Sequence, residues 1–514
     1  MDFASHSFTC TSSLWERWSH CERQRCALNT PYKRYCWEDV QHLVNEYVAR
    51  LSQQGLREGD VLTIIGKNSS EQVITLLACL KMGIIAAFVM PQPEVKLQQK
   101  IETLYTQKQP AYVWNNFTEP TSLNPHINLI SLPKLEEVSL VQVSKSISSF
   151  EPQTRSNLSS PEANKNIKEA TTTQLATIVF TSGSTGNPKA VVHTADQHLA
   201  SAAGLLNSFS YEYSDTWLLS LPMYHVSGLA IIFRWLSAGG CLKVGNGNLE
   251  EDIKGCTHAS LVATQLQRLL NARCSLQLSH VLLGGSHIPE SLAKEACGQG
   301  IETWLGYGMT EAASTVTARA ISGDMTNQNE KLSQTAEPNT AGSVLDYRTI
   351  KLVDQRIFIG GKTLASGYYH QGRVMPLADS EGWFDSKDLG VWVNDQLKVI
   401  GRADNQFISG GENIHCEEIE RALNQMVGVK QSFIIPVEDT EFGFRPVAII
   451  DCDELESASW YTEQLTDVIE RFKHPVGYYQ MPTLEQQGIK VSRTQLAQWL
   501  KIEREKASDT KAVS

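Results

Sequence analysis

The sequence predicts an α/β protein: a large N-terminal body of α/β subdomains carrying a β-rich subdomain, and a small α+β domain at the C-terminal end. Three observations point there. Apolar runs of strand length alternate with helical patterns through the first 290 residues; after Gly342 short strands follow one another with turn residues between them; and from Asp404 about 110 residues mix helices and strands at the size of one compact domain.

Residues 37–93 read helix, Gly turn, strand ("DVLTIIG"), helix, strand, the alternation of a parallel sheet covered by helices. The apolar stretch 73–90 is not a membrane span, because Lys81 and Gly83 interrupt it and Pro91 ends it; a buried helix, a Gly turn and a buried strand account for it. Then come "ATIVFTSG" as strand, "HTADQHLASAAGLLNSF" as helix, "DTWLLSLPM" as strand, "GLAIIFRWLSAGG" as helix, "ASLVATQLQRLLN" as strand into helix, and "HVLLGGSHIP" as strand. Residues 144–173 and 321–339 are polar and read as surface loops. "YRTIKLVD", "QRIFIGG" and "LGVWVNDQLKVIG" are the strands of the β-rich unit. "CEEIERALNQ" is then a helix, "QSFIIPVED" and "RPVAIID" strands, "YTEQLTDVIERF" a helix, and a final amphipathic helix ends in a charged tail. The boundary falls near Gly401 to Asp404, giving domains 1–402 and 403–514. No internal repeat is present.

With 514 residues, 41% hydrophobic and 20% charged, the chain has the composition of a globular protein with a large core. A net charge of −11 argues against broad binding to nucleic acid or an anionic membrane and leaves room for a local basic pocket. Small-molecule work is the expectation. The eleven cysteines form no Cys-x-x-Cys pair and have no His partners at zinc spacing, so free thiols in a reducing cytoplasm are expected and no metal is assigned to them. The opening residues lack the basic start and apolar stretch of a secretory signal.

The stretch "TIVFTSGSTGNPKAVVH" joins an apolar strand to a Gly, Ser and Thr burst and then a Lys. Backbone N–H groups in such a turn converge on a phosphate, and the hydroxyls add donors. A kinase-type loop would be G-x-x-x-x-G-K-[ST] opening into a helix; Gly183 and Gly186 are too close for that, and Pro188 turns Asn187 away from helical angles. A phosphate loop of another kind remains.

That loop resembles the T-S-G-S-T-G-x-P-K-G signature of the adenylate-forming superfamily, the acyl-CoA synthetases, luciferases and peptide-synthetase adenylation domains, with Ala190 in place of the last glycine. The resemblance makes Thr181, Ser182, Gly183, Ser184, Thr185, Gly186 and Lys189 the phosphate cradle. Other motifs follow in the family's order over nearly the whole chain. "LGGSHIP" brings Gly284, Gly285 and Ser286 to the adenine face. "GYGMTE" implies Tyr307 stacked on adenine, Thr310 on the α-phosphate and Glu311 holding magnesium. "WFDSKDLG" puts Asp388 on the ribose, with Ser-Lys where the family has Thr-Gly. "GRADNQFISGGENIHCEEIE" supplies Arg402 as a second ribose contact, Asp404 as the hinge of a mobile C-terminal domain, and Gly410 and Gly411 beside the pantetheine channel. In "MPTLEQQGIKVSR", Lys490 matches the catalytic lysine, its glycine two residues before it rather than one. Each residue alone has an ordinary reading as packing, a turn, a cap or solvated surface. Their joint order does not.

The resemblance implies ATP and CoA as co-substrates and Mg2+ as cofactor: a carboxylate attacks the α-phosphorus, pyrophosphate leaves, and a thiol then takes the acyl group from AMP. "LPMYHVSGLAIIFRWLSAGG", "CTHASLVATQLQRLL" and "EFGFRPVAII" closely resemble the o-succinylbenzoate:CoA ligase family of menaquinone biosynthesis. That acid is an aromatic dianion, whose unreacted carboxylate wants a fixed cation in an apolar pocket. Arg234 in "IIFRWL" is the candidate; an ion pair on an amphipathic helix is the other reading. His225 matches the family's gate to the acyl pocket, or is a core histidine bonded to backbone. Another aryl- or acyl-CoA synthetase, a carrier-protein thiol acceptor, and a non-catalytic nucleotide-binding homologue stay open, as does assembly into a homo-oligomer.

Overall fold

A computed structural model describes residues 13–115, 127–140, 174–182, 188–272, 276–285, 288–321, 340–409, 412–439, 442–466, 468–483, 491 and 493–512. Two large sheets form the N-terminal body. One has nine strands in the order Ser343–Val344, Ser314–Ile321, Glu302–Met309, His280–Leu283, His258–Leu261, Thr216–Leu218, Cys241–Lys243, Cys26–Asn29, Arg34–Cys36. Its middle strands, from Glu302–Met309 to Cys26–Asn29, are parallel, and the outer ones are antiparallel. The other sheet runs Arg373–Pro376, Gly367–His370, Pro188–Thr194, Leu175–Ser182, Ile85–Val89, Val61–Ile65, Ala111–Asn115, Ile127–Leu129. Short apolar runs such as "VLTII" and "IAAFV" are buried along their whole length, as strands covered on both faces must be.

The main core lies between these sheets. It joins Leu28, Trp217 and Leu242 of the first to Leu62 and Ile64 of the second through Leu76, Leu77, Ile231, Phe233 and Trp235. The helix Val226–Ala238 is apolar on nearly every side and accordingly buried on nearly every side. The stretch 73–90 is the buried helix Ser70–Met82 and the buried strand Ile85–Val89, as the interruptions at Lys81 and Gly83 imply. No helix among the described residues is long and apolar enough to cross a membrane.

The β-rich unit is an antiparallel sheet of Arg348–Val353, Arg356–Gly361, Phe384–Val393 and Gln396–Arg402. Beyond it, Gln406–Ser409, Glu412–His415, Val429–Asp439, Gly443–Cys452 and Tyr478–Gln480 form a five-stranded sheet. Helices Cys416–Leu423 and Ala458–Leu465 pack on one face through Ile419, Leu423 and Leu465; Leu496 and Leu500 of the last helix cover the other with Phe433 and Ile449.

Two local expectations change. "YTEQLTDVIERF" is not one helix: the helix ends at Leu465, and a single 3-10 turn, Arg471–Lys473, follows. The strand expected through "DTWLLSLPM" ends at Leu218, because beyond Leu219, whose amide still bonds Lys243, the chain turns into the segment before helix Val226–Ala238. The expected loop 144–173 lies outside the described residues, and of 321–339 only Ile321 is described, at the end of a strand.

Candidate active site

The phosphate-loop stretch is built on a hairpin. Strands Leu175–Ser182 and Pro188–Thr194 pair antiparallel with Thr181 opposite Lys189 and Ser182 opposite Pro188, and residues 183–187 join them in sequence. Gly183, Ser184, Thr185 and Gly186 lie outside the described residues, as does the side chain of Ser182. Lys189 is exposed, and its ammonium sits 5.0 Å from the centroid of the Tyr368 ring. The Tyr368 hydroxyl donates to Glu311 Oε1 at 3.3 Å, and burial together with that carboxylate holds the phenol well above its ordinary range. Lys189 and Glu311, 122 positions apart in sequence, thus flank one tyrosine. Nothing in the sequence marked Tyr368.

Thr310 and Glu311 occupy a 3-10 turn, Thr310–Ala312, at the end of strand Glu302–Met309. Three hydrogen bonds from distant residues fix that turn. His193 Nε2 donates to the Thr310 carbonyl at 2.8 Å, Ser201 Oγ to the Ala313 carbonyl at 2.5 Å, and the Ala365 amide to the Glu311 carbonyl at 2.8 Å. Gly308, just before the turn, is required by proximity: a Cβ there would lie 1.9 Å from the Ser314 carbonyl oxygen. His193 is fully buried, and burial pulls its pKa down to about 4, against the Thr310 bond, so the ring is neutral near pH 7. It belongs to a column of rings. His193 and His198 are 4.7 Å apart, His198 and Phe233 4.4 Å apart and nearly parallel, and His198 Nε2 is 2.7 Å from Thr177 Oγ1.

The three residues expected around adenosine meet one another. Asp388 and Arg402 are cross-strand partners; the Arg402 guanidinium donates to Asp388 Oδ1 at 3.3 Å, and the Tyr307 hydroxyl donates to Oδ2 at 2.6 Å. Burial, then the Asp388 carboxylate, push the Tyr307 phenol well above its ordinary range. Ser386 and Lys387, where the superfamily has Thr-Gly, are accommodated. The Ser386 hydroxyl donates to the Ile357 carbonyl at 2.7 Å and accepts from the Asp388 amide at 3.1 Å, the work a Thr hydroxyl would do. Lys387 adopts φ 66°, a left-handed conformation in which a glycine is at home, and its ammonium bonds Asp385 at 2.8 Å. Gly284 and Gly285 follow strand His280–Leu283; Gly285, at φ 100°, needs its missing side chain. Ser286 lies outside the described residues.

Arg234 is the unusual member. It is 2% exposed, yet no acidic side chain among the described residues lies within ion-pair distance of it. Its guanidinium reaches Ser260 Oγ at 3.4 Å and Thr315 Oγ1 at 3.5 Å, both at the outer limit of a hydrogen bond, packs 5.4 Å from the Trp217 ring, and has no partner for Nε. Burial, with repulsion from Arg348, pulls its pKa down to about 9. The reading of Arg234 as one half of an ion pair on an amphipathic helix is therefore set aside. His225 is the residue before helix Val226–Ala238, half-buried, with its ring 4.9 Å from that of Tyr224.

Asp404 lies in the 3-10 turn Ala403–Asn405, which joins the four-stranded sheet to the five-stranded one; its side chain is outside the described residues. Gly410, Gly411 and Lys490 are outside them entirely, the glycines falling in sequence between the paired residues Ser409 and Glu412. No group of three or more potential metal-ligating side chains occurs among the described residues. Glu311 alone fits magnesium's habit of binding one or two carboxylates together with substrate phosphates.

A strand pair flanking the Gly-Ser-Thr signature, a Thr-Glu turn linked to it through Tyr368, and a Tyr-Asp-Arg cluster are the arrangement of an adenylate-forming enzyme. A family model described as "AMP-binding enzyme" matches residues 15–369. The 2-succinylbenzoate–CoA ligase of Salmonella typhimurium is 35% identical over 499 residues, 96% of this chain and 98% of that protein. Its Escherichia coli counterpart is 36% identical over 492 residues, 95% of this chain and 98% of that protein. The chain belongs to the AMP-binding enzymes and, among them, to the 2-succinylbenzoate–CoA ligase family. A solved E. coli MenE variant with bound OSB-AMS superposes with a TM-score of 0.78 at 34% identity, covering 96% of this chain and 99% of that one. The fold is shared by Bacillus subtilis o-succinylbenzoate coenzyme A synthetase solved with ATP and magnesium ion, with a TM-score of 0.72 at 23% identity, covering 91% of this chain and 95% of that one.

Proposed function

We propose that this protein is an ATP-dependent o-succinylbenzoate:CoA ligase of menaquinone biosynthesis, acting in the cytoplasm through an acyl-adenylate. The observation that carries the reading is Arg234, a buried guanidinium that no carboxylate among the described residues pairs with. Leaving an uncompensated charge in an apolar interior is costly. A ligand that brings a second, unreacted carboxylate supplies the missing partner, and among aryl acids a succinylbenzoate has one. His225 and Gly284 border the acyl pocket.

In the first half-reaction the acid's reactive carboxylate attacks the α-phosphorus of ATP and the bridging oxygen leaves with pyrophosphate. Residues 181–186 and Lys189 cradle the phosphates, and Gly285, Ser286 and Tyr307 hold the adenine. Asp388 and Arg402 hold the ribose, and Thr310 donates to the α-phosphate from a turn that His193 keeps in place. Glu311 would hold magnesium, which would supply neutralising charge. Lys490 adds an ammonium to the transition state. Domain 403–514 then turns about Asp404, withdraws Lys490 and brings Gly410 and Gly411 beside the CoA arm. The CoA sulfur attacks the acyl carbon and AMP leaves.

A panel of acids with ATP, Mg2+ and CoA tests this. The expected result is equal AMP, pyrophosphate and thioester release with o-succinylbenzoate, and far less with benzoate or a fatty acid. ADP in place of AMP, or no acid-dependent exchange of labelled pyrophosphate into ATP, refutes it.

A further inference from the structure

We infer that Cys26 and Cys241 are a thiol–disulfide exchange site, with Cys26 the attacking thiol and Cys241 the resolving one, opening on a cationic cavity that admits anionic low-molecular-weight disulfides. Their sulfurs are 3.4 Å apart although 215 positions separate them in sequence. Cys26 opens strand Cys26–Asn29 and Cys241 opens its parallel neighbour Cys241–Lys243. The register pairs Leu28 with Leu242, which places Cys26 diagonally from Cys241, with Cα atoms about 6 Å apart by ladder spacing and residue rise, within the range a disulfide spans. Unbroken alternation would turn Cys26 to the face of Leu28, away from Cys241. The register shifts between Cys26 and Leu28, an irregularity of the kind that re-aims a side chain, and the sulfurs do meet.

Both thiols line a cavity of about 440 Å³ on the outer part of the nine-stranded sheet, remote in sequence from the nucleotide motifs, with Arg25, Arg34, Lys243 and Lys254 around them. Glu22 pairs with Arg25 and Glu251 with Lys254, whereas no carboxylate among the described residues pairs with Arg34 or Lys243. Cys26 is partly exposed and Cys241 buried, so an incoming disulfide meets Cys26 first. The hydrogen bond between the two thiols lowers the Cys26 pKa, with burial opposing and Arg34 assisting, and raises that of Cys241. Exposure and the shift thus point to the same sulfur, Cys26, as the first to react.

The exchange balances without any further reagent. The Cys26 thiolate attacks one sulfur of an added RSSR and expels RS−, which takes up the proton Cys26 shed. Cys241 loses its proton and attacks the Cys26 sulfur of the mixed disulfide, expelling the second RS−. Two protein thiols are oxidised, and one RSSR is reduced to two RSH.

The test is intact-mass and peptide mapping of the full-length protein after exposure to oxidised glutathione, 2-hydroxyethyl disulfide or cystamine, which are anionic, neutral and cationic. Wild type should lose two hydrogens and yield a linked Cys26–Cys241 peptide. Cys241→Ser, and Cys241→Ala as a second variant, should stop at one adduct on Cys26, and Cys26→Ser should form neither. Oxidised glutathione should react at least about tenfold faster than cystamine at low salt, the difference shrinking as salt screens the cavity. A bridge from Cys26 to Cys36, its partner on strand Arg34–Cys36, or adducts confined to exposed Cys21, would overturn the pair. A stable Cys26 adduct in wild type would overturn the resolving role, and equal rates for the three reagents would overturn the cationic cavity.

Discussion

Replacing Arg234 with Met should move stability and substrate use in opposite directions. The guanidinium is 2% exposed, and burial pulls its pKa from the ordinary guanidinium range down to about 9. The sign is that of a base whose charged form is disfavoured on folding: below about pH 9 it stays charged in both states and the folded protein carries the whole penalty. A shift of that size corresponds to about 5 kcal/mol at most. Allowing for local relaxation and for loss of the weak Ser260 and Thr315 contacts, an apolar side chain of similar volume should leave the unliganded protein about 1–4 kcal/mol more stable. The same change would remove the cation proposed to pair with the unreacted substrate carboxylate. Breaking a buried pair on one side costs about 3–5 kcal/mol, so kcat/KM for o-succinylbenzoate should fall by roughly 10² to 10³-fold or more. The KM for ATP and the weak activity with benzoate should change by less than about threefold, since neither meets the missing group. Urea unfolding of the unliganded protein and pyrophosphate release with the two acids supply both halves. A variant that is less stable, or that loses o-succinylbenzoate and benzoate in equal proportion, would show that Arg234 holds the fold instead of the acid.

Lys490→Ala should lower adenylation by at least about 10² to 10³-fold, while supplied acyl-adenylate is still converted to thioester by CoA; an equal fall in both steps would remove Lys490 from the chemistry. The buried His193, with its pKa lowered to about 4, contributes stability that is complete above about pH 6.5 and is lost as the pH falls toward 4, because the unfolded chain takes up the proton first. At pH 5 that loss is roughly 2 kcal/mol, so His193→Gln should show a pH 7 to pH 5 decline in unfolding free energy smaller than wild type by about that amount. Gly308→Ala should disrupt the Thr310–Ala312 turn and with it adenylation, since the new methyl meets the Ser314 carbonyl at 1.9 Å; Gly284→Ala, whose methyl has no contact closer than 3.7 Å, should leave the melting temperature within about 2 °C of wild type.

Much of this was legible in the chain. Buried parallel strands and the helix Val226–Ala238 announce themselves because being covered on both faces forces unbroken apolar runs. Strands Cys26–Asn29 and Arg34–Cys36 did not, being four and three residues long with polar members. The helix expected over "YTEQLTDVIERF" failed because an apolar pattern of correct period says nothing about where the chain must turn to reach the next strand. At the site, the motif residues stood out because their joint order resembles that of the adenylate-forming superfamily. His193, Ser201 and Tyr368 did not, since they act on those residues through folded contacts such as the His193 bond to the Thr310 carbonyl. Lys387 is the reverse case: its oddness in the motif was visible, but that a lysine takes the left-handed backbone there, steadied by Asp385, required the structure.

The short link after Arg402 leaves no slack. Arg402 ends its strand while bonded to Asp388, and three residues later the Asn405 side-chain amide donates to Glu417 Oε1 at 2.6 Å, with the Glu417 carboxylate 2.5 Å from where a Cβ on Gly401 would stand. One inserted residue would displace one anchor from the other by about 3.3 Å. An engineer seeking a place to splice in a reporter, or to reopen the chain at new termini, should avoid this joint even though it lies between two sheets.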